Sequence, residues 1–396
     1  MAGPLSHVKV LDLSRVMAGP WAGQMLADLG ADVIKVERPG AGDDTRSWGP
    51  PFLTAADGSP TREAGYFLSV NRGKRSVAVD LDQPQGQAVV RALAARSDIL
   101  IENFKVGTLA RFGLSYEDLK PLNRGLIYCS ITGFGQTGPR ASHAAYDFLI
   151  QAMGGLMSVT GERAGRPGAG PQKVGLPIVD IMTGMYASVA VLAALARRTE
   201  TGEGDFIDLG MLDVQTGILA NQAMNHLVSG RVPQRTGNAH PNIQPQDVFP
   251  CADGDLVIVV GNDAQFVKLC QGLGAPALAA DERFITNAAR VRHVDALREA
   301  LAMVLAGQSR QHWISRLEPL GVPCGPINTI DEVFDDPQVR HRAMRVDLPH
   351  PLAGTVPQVA NPIRFRAAPI EYHRAPPLLG EHTLEVLREL GLEPGH

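Results

Sequence analysis

The chain predicts an α/β protein with a parallel sheet in a large domain and a smaller α+β domain inserted into it. Three observations lead there. Short apolar, β-rich runs alternate with helical stretches through the first third of the sequence, which is the pattern of right-handed crossovers between parallel strands. At 396 residues, 44% hydrophobic and 20% charged, the chain has ordinary globular composition and length for two or three domains of roughly 150 residues. A polar tract from Ser229 to Gln246 separates the first part from a second compact segment.

The elements follow in order. His7–Leu13 (HVKVLDL) is a buried strand, Gly19–Leu29 a helix and Ala31–Glu37 (ADVIKVE) a second strand. Ser76–Leu81 is a strand, followed by a helix from Gln85 to Ala95. Ser97–Glu102 and Leu126–Ile131 continue the rhythm. Gly154 to Lys173 is rich in Gly and Pro and predicts a loop. Asp180 to Arg197 (DIMTGMYASVAVLAALAR) predicts a helix buried on most sides, and Phe206–Leu209 a short strand. In the second segment a strand at Asp255–Val260 precedes helices at Asp263–Leu273, Val294–Ala306 and Arg310–Leu317. The expected layout is a large domain over 1–205, a linker over 206–224, a small domain over 225–325 and a return segment over 326–396.

Several function classes are disfavoured. The formal net charge of −4 argues against a general nucleic-acid-binding surface. The four cysteines (Cys129, Cys251, Cys270, Cys324) make no C-x-x-C, so a disulfide scaffold or thiolate zinc site is not expected and a reducing, cytoplasmic compartment fits. The apolar run Tyr186 to Ala196 is short for a bilayer, and no membrane partner is expected. No ligand pair of histidines stands at helical spacing, so no metal is expected. Gly133-Phe134-Gly135-Gln136-Thr137-Gly138 fits G-x-G-x-x-G, but Pro139, Arg140 and Ser142 continue a loop where a dinucleotide site needs a helix to open.

Ligands on parallel sheets bind beyond the carboxyl ends of the strands. Three features would fall there. The basic stretch Asn71-Arg72-Gly73-Lys74-Arg75-Ser76, with Arg38, Arg46 and Arg111, would ring that edge with positive charge and suit a polyanion; a solvated turn accounts for the same residues. Phe104 and Tyr146 could stack on a base or belong to the core. Asp180 opens an apolar helix. It suits a helix N-cap, and equally a nucleophile kept ionised by the helix end, with Gly184 one turn on leaving room for a substrate.

Ordered segments across nearly the whole chain resemble the family III coenzyme A transferases, a group that includes the α-methylacyl-CoA racemases. The segments are Leu11–Pro20 (LDLSRVMAGP), Leu26–Glu37, Asn71–Ser76 (NRGKRS), Glu102–Phe104, Thr132–Pro139, Asp180 and Gly321–Asn328 (GVPCGPIN). The resemblance implies a Rossmann-like large domain built from both chain ends, a smaller middle domain, and two subunits threaded through one another as an interlocked homodimer. It implies that Asp180 is the nucleophile, passing through a mixed anhydride and an aspartyl-CoA thioester. It implies CoA contacts at Val16, Arg38, Val79, Asn103, Phe104, Arg111, Phe112 and Tyr146; the basic stretch adds Lys74 and Arg75. Coenzyme A and its acyl thioesters enter as substrates with small carboxylic acids, and no cofactor is permanently bound.

Departures from sub-branches narrow the expectation. Racemases carry His-Asp where this chain has Tyr146-Asp147, which favours transfer over isomerisation. Formyl-CoA transferases carry a glycine run where this chain has Gly237–Pro245, Gln where it has Met17, and Lys where it has Ala144, so oxalate is disfavoured. Glu37–Phe52, Cys129–Pro139 and Pro323–Asn328 resemble the branch that moves CoA from succinyl-CoA to small dicarboxylates such as glutarate, succinate or itaconate. His240 and Arg46 are the candidates for binding the distal carboxylate. A racemase-type isomerase, a formyl-CoA:oxalate or carnitine-type transferase, and a non-catalytic CoA binder are the alternatives.

Overall fold

A computed structural model describes residues 3–392. The chain divides into two compact units. The first is made of residues 1–156, 174–223 and 337–396, the second of 157–173 and 224–336.

The first unit is built on six parallel strands: β1 (Lys9–Asp12), β2 (Asp32–Glu37), β3 (Lys74–Ala78), β4 (Ile99–Glu102), β5 (Ile127–Thr132) and β6 (Asp205–Gly210). Their spatial order is β3-β2-β1-β4-β5-β6, the doubly wound arrangement that leaves a crevice where the order reverses beside β1. Strands in such a sheet are covered on both faces and become apolar throughout. Ile-Leu-Ile of β4 and the whole of β5 are buried accordingly.

Two helices cover one face: α1 (Ala18–Asp28) and the 24-residue α4 (Ile178–Thr201). Ala22, Leu26, Val179, Ala187 and Val191 pack there on Val10, Val33, Ile101 and Ile127. The other face carries α2 (Pro84–Ala94) and the carboxyl-terminal α9 (Thr383–Leu390), with Val89, Val90, Val386 and Leu387 on Leu11, Val77 and Leu100. Neighbouring residues Val10 and Leu11 thus feed opposite cores, as strand geometry requires. The return segment also supplies the hairpin β10 (Arg345–His350) with β11 (Gly354–Val359).

The second unit has its own core. Antiparallel β7 (Gln246–Cys251), β8 (Gly254–Val259) and β9 (Cys324–Pro326) pack with α6 (Asp263–Gly272), α7 (Val294–Leu305) and α8 (Arg310–Leu317) around Phe249, Phe266, Phe284, Leu301 and Trp313.

The structure differs from the sequence expectation in four places. Residues 206–224 are no linker: they hold β6, α5 (Met211–Gly217) and the start of a further helix, and β6 closes the sheet edge. The Gly/Pro-rich stretch 157–173 groups with the middle unit. A short helix, α3 (Asp147–Met153), follows Tyr146 unannounced, because only seven residues carry no readable period. Helix α4 is longer than the run read as short. By length and mean hydropathy of 1.9 it would pass for a membrane span, with only 33% of that stretch buried. Tyr186 and Val189 on it are exposed, where a helix buried on most sides was expected.

Candidate active site

The loops after β1 to β5 enclose two adjoining hollows at the carboxyl edge of the sheet. The larger, ≈ 290 Å³, is lined by Arg38, Val79, Leu81, Phe104 and Phe112 among others. The smaller, ≈ 170 Å³, is walled by Val16, Asn103, Tyr146 and Asp180, with Lys105 and His143. Arg15, Asp44 and Phe104 line both. Seven of the eight family-type CoA positions therefore meet at one edge, together with Asp180; Arg111 lines neither hollow.

Asp180 is the third residue of α4, whose start has no side-chain cap at Pro177. The cap comes from Asp147 instead: its Oδ2 accepts the N–H of Val179 at 2.8 Å and of Asp180 at 3.2 Å. Its Oδ1 accepts from Gln151 Nε2 at 2.6 Å. Asp180 is 8% exposed, and among the described residues no donor reaches its carboxyl oxygens. Burial first, then the Asp147 carboxylate, pushes it up to about 7. This corrects the expectation that the helix end holds it ionised: the nearest amides already serve Asp147, and desolvation wins. The result is a bare carboxyl poised near neutrality, facing a cleft. Gly184 does not make room for a substrate. A Cβ there would meet the carbonyl oxygen of Ala18 at 2.6 Å and Cβ of Trp21 at 2.9 Å, so the glycine lets α4 approach α1.

The turn after β1 is held from three sides. Asn103 Oδ1 accepts the N–H of Arg15 at 2.8 Å while its Nδ2 donates to the carbonyl of Arg15 at 2.7 Å. Lys35 Nζ donates to the carbonyl of Ser14 at 2.7 Å and pairs with Asp43 at 2.9 Å. Asp43 in turn accepts the N–H of Val16 at 3.2 Å. Val16, at φ 71°, sits in the left-handed region that a β-branched residue avoids. Such strain persists only where surrounding contacts over-determine it.

The expected cation ring is not what the structure offers. Lys74 and Arg75 lie at the beginning of β3, not in a loop, and Arg75 faces the amino end of the sheet. Lys74 Nζ, fully buried, is spent on Asp12 at 2.8 Å, Asn71 and the carbonyl of Pro20. Arg75 is spent on Asp32, Glu385 and Glu389. Arg72 is locked to Asp28. Arg46, offered as a carboxylate-binding group, is buried between Glu37 at 2.7 Å and Glu63 at 3.4 Å and lies over the Phe67 ring. Each is a structural ion pair. Arg38 and Arg111 are exposed. His240 belongs to the second unit. Its Nδ1 accepts the N–H groups of Asn242 at 3.1 Å and Ile243 at 3.2 Å, which leaves the proton on Nε2. Gly135 and Gly138 take positive φ in an open turn with no helix behind them, as the loop reading of that motif expects.

Against known proteins, the model of CoA-transferase family III matches residues 5–383. The chain belongs to this family. It is 52% identical to succinate–glutarate CoA-transferase of Agrobacterium fabrum, over 98% of this chain and 96% of that one. It is 42% identical to the succinyl-CoA:glutarate CoA-transferase of Mus musculus, over 98% of this chain and 86% of the relative. A crystal structure of a CAIB/BAIF family protein from Brucella suis superposes with a TM-score of 0.87 at 48% identity, covering 98% of this chain and all of the other.

In this transferase four residues at or near the site were given no role of their own by the sequence reading. Asp147 acts through backbone amides that are 32 positions away, with no local signal. Tyr66, packed edge-on to Trp48 at 5.1 Å, has its phenol raised to about 12 by burial and then by the carboxylates of Asp180, Asp147 and Asp43, which places it in the same charged neighbourhood. His143 is exposed and also walls the cleft. Arg15 could have been singled out, being the only cation within Leu11–Pro20.

Proposed function

We propose that this family III transferase moves CoA from succinyl-CoA to a small dicarboxylic acid, glutarate being the acceptor to try first. The identity to relatives named for that exchange supports the substrates. The unpaired, buried carboxyl of Asp180 on the cleft wall supports covalent catalysis. In its ionised form Asp180 attacks the thioester carbonyl, the C–S bond breaks, and a mixed anhydride and CoA thiolate result. The thiolate attacks the aspartyl carbonyl, which leaves an aspartyl-CoA thioester and releases succinate. The acceptor carboxylate then displaces the thiolate from Asp180, and the thiolate takes the acceptor's acyl carbon, restoring the carboxylate.

Thioester exchange between acids is nearly balanced in energy, so the protein's tasks are to position the partners and keep water out. The larger hollow, with apolar Val79 and Phe112 and the exposed Arg38, suits the nucleotide end of CoA, and the cleft suits the thioester. Asn103 contributes by shaping the Arg15 backbone, since its own amide is fully used. We also take the enzyme to be a homodimer, with exposed apolar residues of α3 and α4, such as Phe148, Leu149, Tyr186 and Val189, covered by the second copy. Sedimentation as a monomer at micromolar concentration would remove that part.

The test is hydroxylamine or borohydride trapping during turnover of succinyl-CoA with glutarate. Label on Asp180 is expected; label on another residue ends the covalent reading. Because His143 walls the cleft, the isomerase alternative has its own test, α-proton exchange in deuterated water without an acceptor, which this mechanism does not produce.

A further inference from the structure

The geometry points to Arg15 as the residue that binds the distal carboxylate of the dicarboxylic substrate. The inference rests on the dicarboxylate reading above and names the residue behind its selectivity.

A carboxylate in a small cleft needs a cation that is both present and available. Of the cations expected at this edge, Lys74 and Arg46 are spent on the buried carboxylates of Asp12 and Glu37, and Arg75 on the more exposed Asp32, Glu385 and Glu389. The cleft that contains Asp180 counts only Arg15 and Lys105 among its Lys and Arg wall residues. Lys105 follows Phe104 on an exposed turn, and among the described residues its ammonium has no ion-pair partner. Arg15 is different. Both polar groups of its backbone are clamped by Asn103, and the next residue is held at positive φ by Asp43. The peptide that carries the side chain is therefore immobilised, at the cost of strain in Val16. That investment makes sense where the side chain must be presented in one place.

The guanidinium lies on the wall shared by the two hollows, 5.4 Å from the centre of the Phe104 ring. Among the described residues its one ion-pair partner is Asp44, at 3.2 Å, and both side chains are about half exposed, 48% and 47%. An exposed pair of this kind contributes little, so a substrate carboxylate can replace Asp44 at small cost. The fork of guanidinium donors matches a carboxylate in two parallel hydrogen bonds, which a neutral ester or methyl end cannot accept as well. A neutral end forgoes these charge-assisted hydrogen bonds and leaves Arg15 on Asp44, so the free acid is favoured over its ester. The other anion within reach of the shared wall is a phosphate of CoA, and the experiment separates the two.

The measurement compares glutarate with its monomethyl ester as acceptors, at saturating succinyl-CoA, in wild type, Arg15→Gln, Arg15→Lys and Asp44→Asn, each first checked for native thermal unfolding. Free CoA affinity is measured by calorimetry. In wild type kcat/KM for glutarate should exceed that for the ester by at least tenfold. Arg15→Gln should collapse this ratio toward one with CoA affinity kept within twofold. Arg15→Lys should restore part of the ratio, and Asp44→Asn should lower KM for glutarate. An unchanged ratio in Arg15→Gln overturns the assignment, and so does an equal loss with both acceptors accompanied by weakened CoA binding, which assigns Arg15 to a phosphate. If wild type transfers no CoA to either acid, it is the dicarboxylate reading that fails.

Discussion

One oxygen of Asp147 accepts the amide protons of both Val179 and Asp180, so one carboxylate caps the helix that carries the other. The arrangement couples two acids. Asp147 is drawn to the positive helix end, and its charge then raises the carboxyl of Asp180, already raised by burial, to about 7. Attack on a thioester needs the ionised form. The kcat/KM for succinyl-CoA should therefore climb about tenfold per pH unit below 7 and level off above it. Asp147→Asn keeps one acceptor for the cap but removes the charge. The limb should move toward acidic pH, while stability falls by roughly 1–3 kcal/mol because the new amide faces the Gln151 donor. A pH–rate profile of both proteins checks this; an unmoved limb would mean that Asp147 does not set the charge of Asp180.

The same shift carries a stability cost. A carboxyl whose folded pKa lies above its unfolded value binds more protons in the folded state between the two values. Stability from Asp180 is thus intact below about pH 4 and declines as pH rises to about 7. Holding the carboxyl at about 7 instead of in the ordinary carboxylate range costs on the order of 4 kcal/mol above pH 7. Asp180→Asn should abolish turnover, yet unfold at higher urea than wild type at pH 8, with the gap closing toward pH 4. Equal midpoints at pH 8 would show that the carboxyl is not held in a costly environment.

Gly184→Ala tests what the space beside α4 is for. The added methyl would press on the Ala18 carbonyl and Trp21. Overpacking costs about 1–3 kcal/mol, of which alanine's better helix propensity returns about 1. A lower thermal midpoint with KM for acyl-CoA and acceptor unchanged is expected. Full stability with a raised KM would instead restore the reading of Gly184 as substrate space.

The sheet was legible in the sequence because each strand is a short apolar run bounded by turn residues, and because parallel strands need no partner to be recognised. β4 and β5 fall within a residue or two of where Ser97–Glu102 and Leu126–Ile131 place them. Asp180 was legible as a helix-start acid matching a family position. The electrostatics were not. Whether Lys74 meets a phosphate or Asp12 depends on side chains brought in from 62 positions away, and the tetrad Lys-Arg-Ser-Val reads the same in either case. The strain at Val16 is equally invisible, since it is imposed by Asn103 and Asp43 from two other loops.

The fate of the basic stretch gives the last prediction, a contrast between two cations. Lys74 is wholly buried with Asp12 as its ionic partner, and desolvation lowers it to about 8 even against that carboxylate. Removing it as Lys74→Met strands a buried carboxylate, which costs about 3–5 kcal/mol. Yet the side chain touches neither hollow, so folded enzyme should keep its affinity for CoA. Arg38 is the reverse case: exposed, on the wall of the larger hollow, and without an ion-pair partner among the described residues. Arg38→Gln should leave the urea midpoint nearly unchanged, within about 0.5 kcal/mol, as surface substitutions do. It should raise KM for succinyl-CoA severalfold and flatten its dependence on salt, because a screened cation–phosphate attraction is gone. Calorimetric titration of CoA across 50–300 mM salt, roughly the range over which screening tightens, reads both variants. Weakened CoA binding by folded Lys74→Met, with Arg38→Gln unaffected, would return the phosphate site to the amino end of β3.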